Sequence, residues 1–139
     1  MKSEISEKLG HLKTYVGLLN HYQKRSVADL RRDFTLRGAV ERYLQLSLEI
    51  VIEIAEMIIA KEGLRKPGSH REAVLILGEA GILPRPFAAR FAPSAGLRNI
   101  LVHRYAETDV GKLASHLKNV PDFDLFARHI ARYAMRLTE

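Results

Sequence analysis

The residues best placed for chemistry lie in one stretch, Gly96-Leu97-Arg98-Asn99-Ile100-Leu101-Val102-His103-Arg104-Tyr105. Ile100, Leu101 and Val102 form an apolar anchor, and polar groups flank it on both sides. Histidine titrates near neutral pH, so His103 can serve as general base or acid. Arginine stays charged and can hold a phosphate bidentately, which suits Arg98 to the charge that develops in phosphoryl transfer. Asn99 and Tyr105 add groups that orient a substrate. Together they suffice to cut RNA through its own 2′-hydroxyl, a first step that needs neither metal nor external water.

Geometry sets a condition on that chemistry. At 100° per residue, Asn99 and His103 stand about 40° apart on one helix face, and Arg98 and Tyr105 are about 20° from alignment. Arg98 and His103, however, point about 140° apart. Both reach one phosphate only if the Arg98 side chain bends round or the helix ends near His103, and a symmetric partner could supply a second copy of each. Taken alone, a histidine at a helix end is more often structural or exposed than reactive. The spacing permits this chemistry without demonstrating it.

The elements that must position these groups read as helices. Ile5, Leu9, Leu12, Val16 and Leu19 recur at three- and four-residue steps, which predicts a helix from about residue 4 to 24. Asp33 or Thr35 can cap a second helix from near Leu36 to about Lys61, stopped by Gly63 and Pro67-Gly68. Ser69, with Glu72 three residues on, offers a capping box for a shorter helix ending around Gly78 to Gly81. Pro84 and Pro86 open a fourth segment, which Pro93 and Gly96 are expected to break in two before Leu97. Asp109 can cap a short helix to about Leu117, and Pro121 starts the last. No alternating run of β-branched residues survives, so no sheet is assigned. The expectation is an all-α bundle of four to five antiparallel helices in a single domain, residues 1–139.

The second helix is apolar almost all round, from Val40 through Ile59, apart from a strip of Glu41, Gln45, Glu49, Glu53 and Glu56. Such a helix must be covered on most sides, and a chain this short has few helices to do it, so a homodimer through this helix is expected. The acidic strip reads as a solvated face or as ion-pair partners for arginines, ahead of any catalytic carboxylate role.

Composition narrows the function classes. The 139 residues are 47% hydrophobic and 27% charged, a globular balance. There is no cysteine, which excludes disulfides, thiolate metal sites and a cysteine nucleophile. The first 20 residues lack the continuous apolar core of a signal peptide, and the most apolar run, Tyr43 to Ala60, holds too many polar groups to cross a bilayer. A cytoplasmic location and no membrane association are expected. Twenty-two Lys and Arg against 16 Asp and Glu leave +6, a charge that suits a polyanion partner, and Arg85 to Arg104 contains no acid. His11, His21, His70, His116 and His129 are scattered without ligand spacing, so no metal site and no cofactor are assigned. Lys24, Arg25, Arg31, Arg32 and Arg37 read as a solvated loop rather than a nucleic-acid surface, because no aromatic platform is interleaved with them. Tyr15, Tyr22 and Tyr43 read as core or interface residues.

Arg98 to Tyr105 resembles the Arg-x4-His-x-Tyr signature of the HepT family within the HEPN superfamily. Asp33-Phe34-Thr35-Leu36 and Glu41-Arg42-Tyr43-Leu44-Gln45 with the apolar run after it are similar to that family's second helix. Leu77-Gly78-Glu79-Ala80-Gly81-Ile82-Leu83-Pro84 resembles its mid-chain turn, and Gly96-Leu97 before the arginine is also typical. Order and spacing agree from roughly Phe34 onward. Arg104 stands where the family often has a polar or acidic residue, a change of local charge.

The resemblance implies a helical bundle that dimerises and sets two Arg-x4-His motifs in a shared cleft. It implies the toxin of a toxin–antitoxin pair, a metal-independent endoribonuclease acting on RNA, in some members tRNA. It implies a minimal nucleotidyltransferase antitoxin (MntA) that adds AMP to the motif tyrosine and silences the nuclease. By position, Arg98 and His103 would be catalytic, Asn99 supporting and Tyr105 the modified residue. The alternative is a non-catalytic HEPN module that partners a nucleotidyltransferase, with the motif serving packing or nucleotide contact.

Overall fold

The computed structural model describes residues 1–103 and 109–137, with only the backbone of His103. The described residues form α1 (Lys2–Asn20), α2 (Val27–Arg32), α3 (Phe34–Glu62), α4 (His70–Glu79), α5 (Arg85–His103), α6 (Val110–Lys118) and α7 (Pro121–Ala134), with no strand among them. The all-α expectation holds. Five of these helices have ten or more residues, and short α2 and α6 supplement them.

Local sequence explains most boundaries. Asp33 Oδ1 accepts the Leu36 N–H at 3.0 Å and starts α3. Gly63, at φ 63°, ends it in a left-handed turn that a side chain would resist. Asp109 Oδ1 accepts the Gly111 N–H at 2.8 Å and caps α6, while Pro121 opens α7. The box expected at α4 is half formed. Ser69 Oγ accepts the Glu72 N–H at 3.1 Å, but Glu72 turns to the Gly68 N–H at 3.0 Å and to the Arg65 guanidinium at 2.7 Å.

Two elements depart from the sequence reading. Residues 27–32, expected within a basic loop, form α2, closed by a reciprocal Ser26–Asp29 capping box. More consequentially, α5 is one helix, where a break at Pro93 and Gly96 was expected. Pro93 is exposed, and so is Ala89, whose carbonyl loses its partner to the proline ring and faces water instead. On the opposite side Phe91 packs edge-on against Phe123 with ring centroids 5.5 Å apart, and stacks on Phe87 at 5.3 Å. Those contacts hold the helix straight through the proline.

α3 lies at the centre of the bundle, touching α1, α2, α4 and α5. α1 runs antiparallel to it: Lys8 reaches Glu53 at 2.7 Å, and Tyr15 stacks on Tyr43 with centroids 6.5 Å apart. α5 also opposes α3, since Arg98 near its end meets Glu49 in mid-helix, and Arg85 at its start shares a cleft with Tyr133, which reaches Glu62. Twelve α3 residues are buried, Leu48, Val51, Ile54 and Ile58 almost completely, all by this one chain. The premise that a single chain cannot cover α3 therefore does not stand, and a dimer has to be argued from the site instead.

Candidate functional site

The last turns of α5 divide their side chains by depth. Leu97 and Leu101, four residues apart, are buried and fix the helix to the core. Arg98 lies on the flank of that stripe, Asn99 is exposed, and Ile100 is 40% exposed. Two buried anchors on one side leave the arginine little freedom to rotate away.

α3 supplies the rest of the setting. Arg98 Nε lies 3.6 Å from Glu49 Oε1, with both side chains more than two-thirds shielded from water at 29% and 28% exposure. Gln45 Nε2 donates to the same Glu49 oxygen at 3.0 Å, one turn earlier on α3. Arg98 Nη1 in turn donates to Asn99 Oδ1 at 3.2 Å. Gln45, Glu49, Arg98 and Asn99 thus form one chain of polar contacts running from α3 to the surface end of α5. A guanidinium has five N–H donors, and these contacts leave most of them available to an incoming anion.

The structure brings together Arg98 and Asn99 of the residues named from sequence. α5 is described as far as His103. The His103 side chain and the whole of Tyr105 lie outside the described residues. Sequence reasoning did not single out Gln45 and Glu49 as partners of Arg98. The signal was present in the acidic strip, read as ion-pair partners for arginines; that reading holds for Arg98–Glu49 and for Arg37–Glu41 at 3.8 Å, while Lys8 takes Glu53.

Among the described residues no three His, Asp or Glu side chains gather around a point where an ion could sit. Burial, and then Lys112, pushes the His116 imidazole below its ordinary value, and burial followed by Arg132 does the same to His129. His70 Nδ1 and Glu41 Oε2 are buried without a hydrogen-bond partner. No helix among the described residues is long and apolar enough to cross a membrane.

Comparison with known proteins accords with this arrangement. Residues 5–130 match the family described as Ribonuclease HepT-like. A tRNA nuclease HepT of Aphanizomenon flos-aquae is 31% identical over 136 residues, covering 97% of this chain and 92% of the relative. An mRNA nuclease HepT of Shewanella oneidensis is 30% identical over 100 residues, covering 71% and 75% respectively. Among solved structures, a toxin–antitoxin crystal structure with AMP-PNP superposes with a TM-score of 0.81 at 26% identity, covering 92% of this chain and 97% of the other. A tri-AMPylated Shewanella oneidensis HEPN toxin in complex with MNT antitoxin gives 0.80 at 26% identity, with 92% and 96% covered. A helical frame that carries Arg98 on α5 against Glu49 on α3, matched over nearly its whole length, settles the assignment: the chain belongs to the ribonuclease HepT-like family.

Proposed function

We propose that this chain is the toxin of a toxin–antitoxin pair, a cytoplasmic endoribonuclease that needs no metal, with Arg98 and His103 as its catalytic residues and Asn99 supporting them. The observation that carries the reading is the partly buried Glu49–Arg98 pair on α5. It holds a guanidinium in place on the helix that also carries His103. A preorganised cation needs no rearrangement when charge develops on a bound phosphate.

The reaction follows from these groups. His103 takes the proton of a ribose 2′-hydroxyl, and that oxygen attacks the adjacent phosphorus. The bond from phosphorus to the 5′-oxygen breaks, and this oxygen leaves with a proton from a general acid. The products are a 2′,3′-cyclic phosphate and a free 5′-hydroxyl. Arg98 neutralises the charge gathering on the phosphoryl oxygens, and Asn99 orients the guanidinium through its 3.2 Å contact. One histidine cannot be base and acid in the same step, so the second proton comes from His103 of a symmetry-related copy. That requirement is the reason to propose a homodimer with a shared cleft and, in it, one 139-residue domain from each chain.

Relatives of this fold are solved together with an antitoxin, and one is tri-AMPylated. We extend this to Tyr105 as the modified residue and a nucleotidyltransferase of the MntA kind as the partner. The tyrosine oxygen attacks the α-phosphorus of ATP and pyrophosphate leaves. The resulting phosphodiester puts a negative charge and a nucleoside two residues from His103, where it competes with RNA for Arg98.

The test is incubation of the protein with tRNA in chelator, beside a His103→Ala variant. Cleavage by the wild type alone, leaving cyclic phosphate ends, is the expected result. Intact RNA in both tubes, with His103→Ala failing to bind the nucleotidyltransferase, would replace this reading with a non-catalytic binding module. Intact mass after co-expression with the partner and ATP detects the adduct, and peptide mapping is expected to locate it on Tyr105.

A further inference from the structure

At the end of the molecule away from Arg98, α4, α5 and α7 enclose a cleft of about 290 Å³. Its walls carry three guanidinium groups, Arg85, Arg132 and Arg136, together with His129 and Tyr133. The carboxylate in its lining, Glu79, is held by a bidentate contact with Arg65, at 3.1 and 2.7 Å, and its pKa is lowered by Arg65 first and by Arg85 as well. No described carboxylate lies within ion-pair distance of Arg132 or Arg136, so these two carry the uncompensated charge of the cleft. All three arginines are exposed, and like charges gathered around one concavity repel each other unless an anion lies between them. The last turn of α7 favours a cation, which accounts for Arg132. Arg85 is in the first turn of α5, where the helix dipole disfavours a cation and favours an anion.

The walls are fixed. Tyr133 donates to Glu62 at 2.7 Å and ties the end of α7 to the end of α3. A Cβ on Gly78 would come within 2.6 Å of Ala88 Cβ, so α4 and α5 meet there more closely than any other residue would allow. His129 packs its ring on Phe87 at 5.6 Å. The cleft these arginines line is therefore already formed.

We infer that this cleft binds a backbone phosphate of the RNA on which the Arg98 site acts, a second anchoring point on the same strand. The inference rests on the ribonuclease reading for the identity of the polyanion. Thirteen helical steps separate Arg85 from Arg98, about 20 Å along α5 at 1.5 Å per residue and about 140° around its axis at 100° per residue. An RNA strand that winds obliquely across α5 brings one phosphate to each position. The exposed Arg90 guanidinium, between them in sequence, is engaged by Asp122 at 3.1 Å. Anchoring at a distance raises affinity and fixes register without touching the reacting atoms.

The test is a salt titration of binding to a labelled single-stranded RNA, on the full chain with His103→Ala in every sample to prevent cleavage. Replacing Arg132 and Arg136 together by Gln, or Arg85 alone by Gln, is expected to weaken binding about tenfold and to flatten the slope of log K against log salt by roughly 0.7 for each phosphate no longer neutralised. Circular dichroism checks the fold of each variant. Arg132→Lys with Arg136→Lys keeps the charge and is expected to restore the slope. In the cleaving chain the same Gln variants raise KM and leave kcat within about twofold. An unchanged slope in either folded Gln variant overturns the inference. Weakened binding to inorganic phosphate with an unchanged RNA slope overturns it as well, because the cleft then serves a free anion. A wild type that binds RNA with the expected slope difference yet cuts nothing counts against the ribonuclease reading and leaves the anchoring site standing.

Discussion

In the proposed reaction the Arg98 guanidinium has two tasks, to stay in one place and to keep donors free for a phosphate. The 3.6 Å separation from Glu49 fits that division, because it is an electrostatic tether longer than a hydrogen bond. Gln45 holds the carboxylate from the other side at 3.0 Å. Removing the tether's charge while keeping its shape isolates the positioning effect. Glu49→Gln is expected to lower kcat about tenfold, the cost of a misaimed group rather than a missing one, with RNA affinity unchanged or slightly higher as a nearby negative charge disappears. Single-turnover cleavage and equilibrium binding, measured on the same preparation, separate the two effects. A fall in affinity with unchanged kcat would assign Glu49 to RNA binding rather than to aiming Arg98.

At the scale of the element, α5 matters most to the proposed site, because one helix carries both Arg98 and His103. Its continuity has a cost at Pro93, where a backbone hydrogen bond to Ala89 is missing. Pro93→Ala restores that bond on an exposed face. Unfolding in urea is expected to show a gain of about 1–2 kcal/mol, less than the roughly 3 kcal/mol intrinsic difference because proline also restricts the unfolded chain. A loss would mean that the proline ring packs against something the helix needs. This residue also shows what the sequence could and could not reveal. Asp33, Ser69, Asp109, Gly63 and Pro121 act locally, through hydrogen bonds or backbone angles within a few residues, so their helix boundaries were legible in advance. Pro93 acts against contacts from Phe123 and Phe126, some thirty residues away, and local pattern gives no weight to those. α2 escaped notice for the opposite reason: six residues with one buried side chain, Leu30, carry almost no periodicity, and only the Ser26–Asp29 box marks them. The proposed site was readable from sequence as a motif, Arg98 to Tyr105, but the Arg98–Glu49 pairing was not. Which glutamate of the α3 strip meets Arg98 depends on how two helices far apart in the chain are set against each other.

At the scale of the whole molecule, burial and symmetry each make a claim. Burial and Lys112 depress the His116 imidazole below its ordinary value of 6.5, so the folded chain binds that proton less readily than the unfolded one. Stability from this group is complete above the unfolded value and is lost as pH falls through it. The thermal midpoint is expected to drop between about pH 7.5 and 5.5, and His116→Gln to flatten that drop. Asp29, Glu72 and Glu79, all held below their ordinary values by hydrogen bonds, add a second loss at lower pH with the same sign. Symmetry bears on catalysis. Because α3 is covered by its own chain, the case for two copies lies in the proton inventory, one imidazole for the base and another for the acid. Mixing wild type with an inactive protein tests it. In a mixed dimer of wild type with His103→Ala, the shared cleft holds one native histidine, too few for both proton transfers. If each cut draws on both imidazoles, unfolding and refolding equal amounts together should leave about a quarter of the activity of the same total amount of wild type, because about a quarter of the dimers then hold two native histidines. Should the mixture keep about half the activity while sedimentation shows that mixed dimers formed, the site is complete within one chain and the acid must be sought among the neighbours of Arg98.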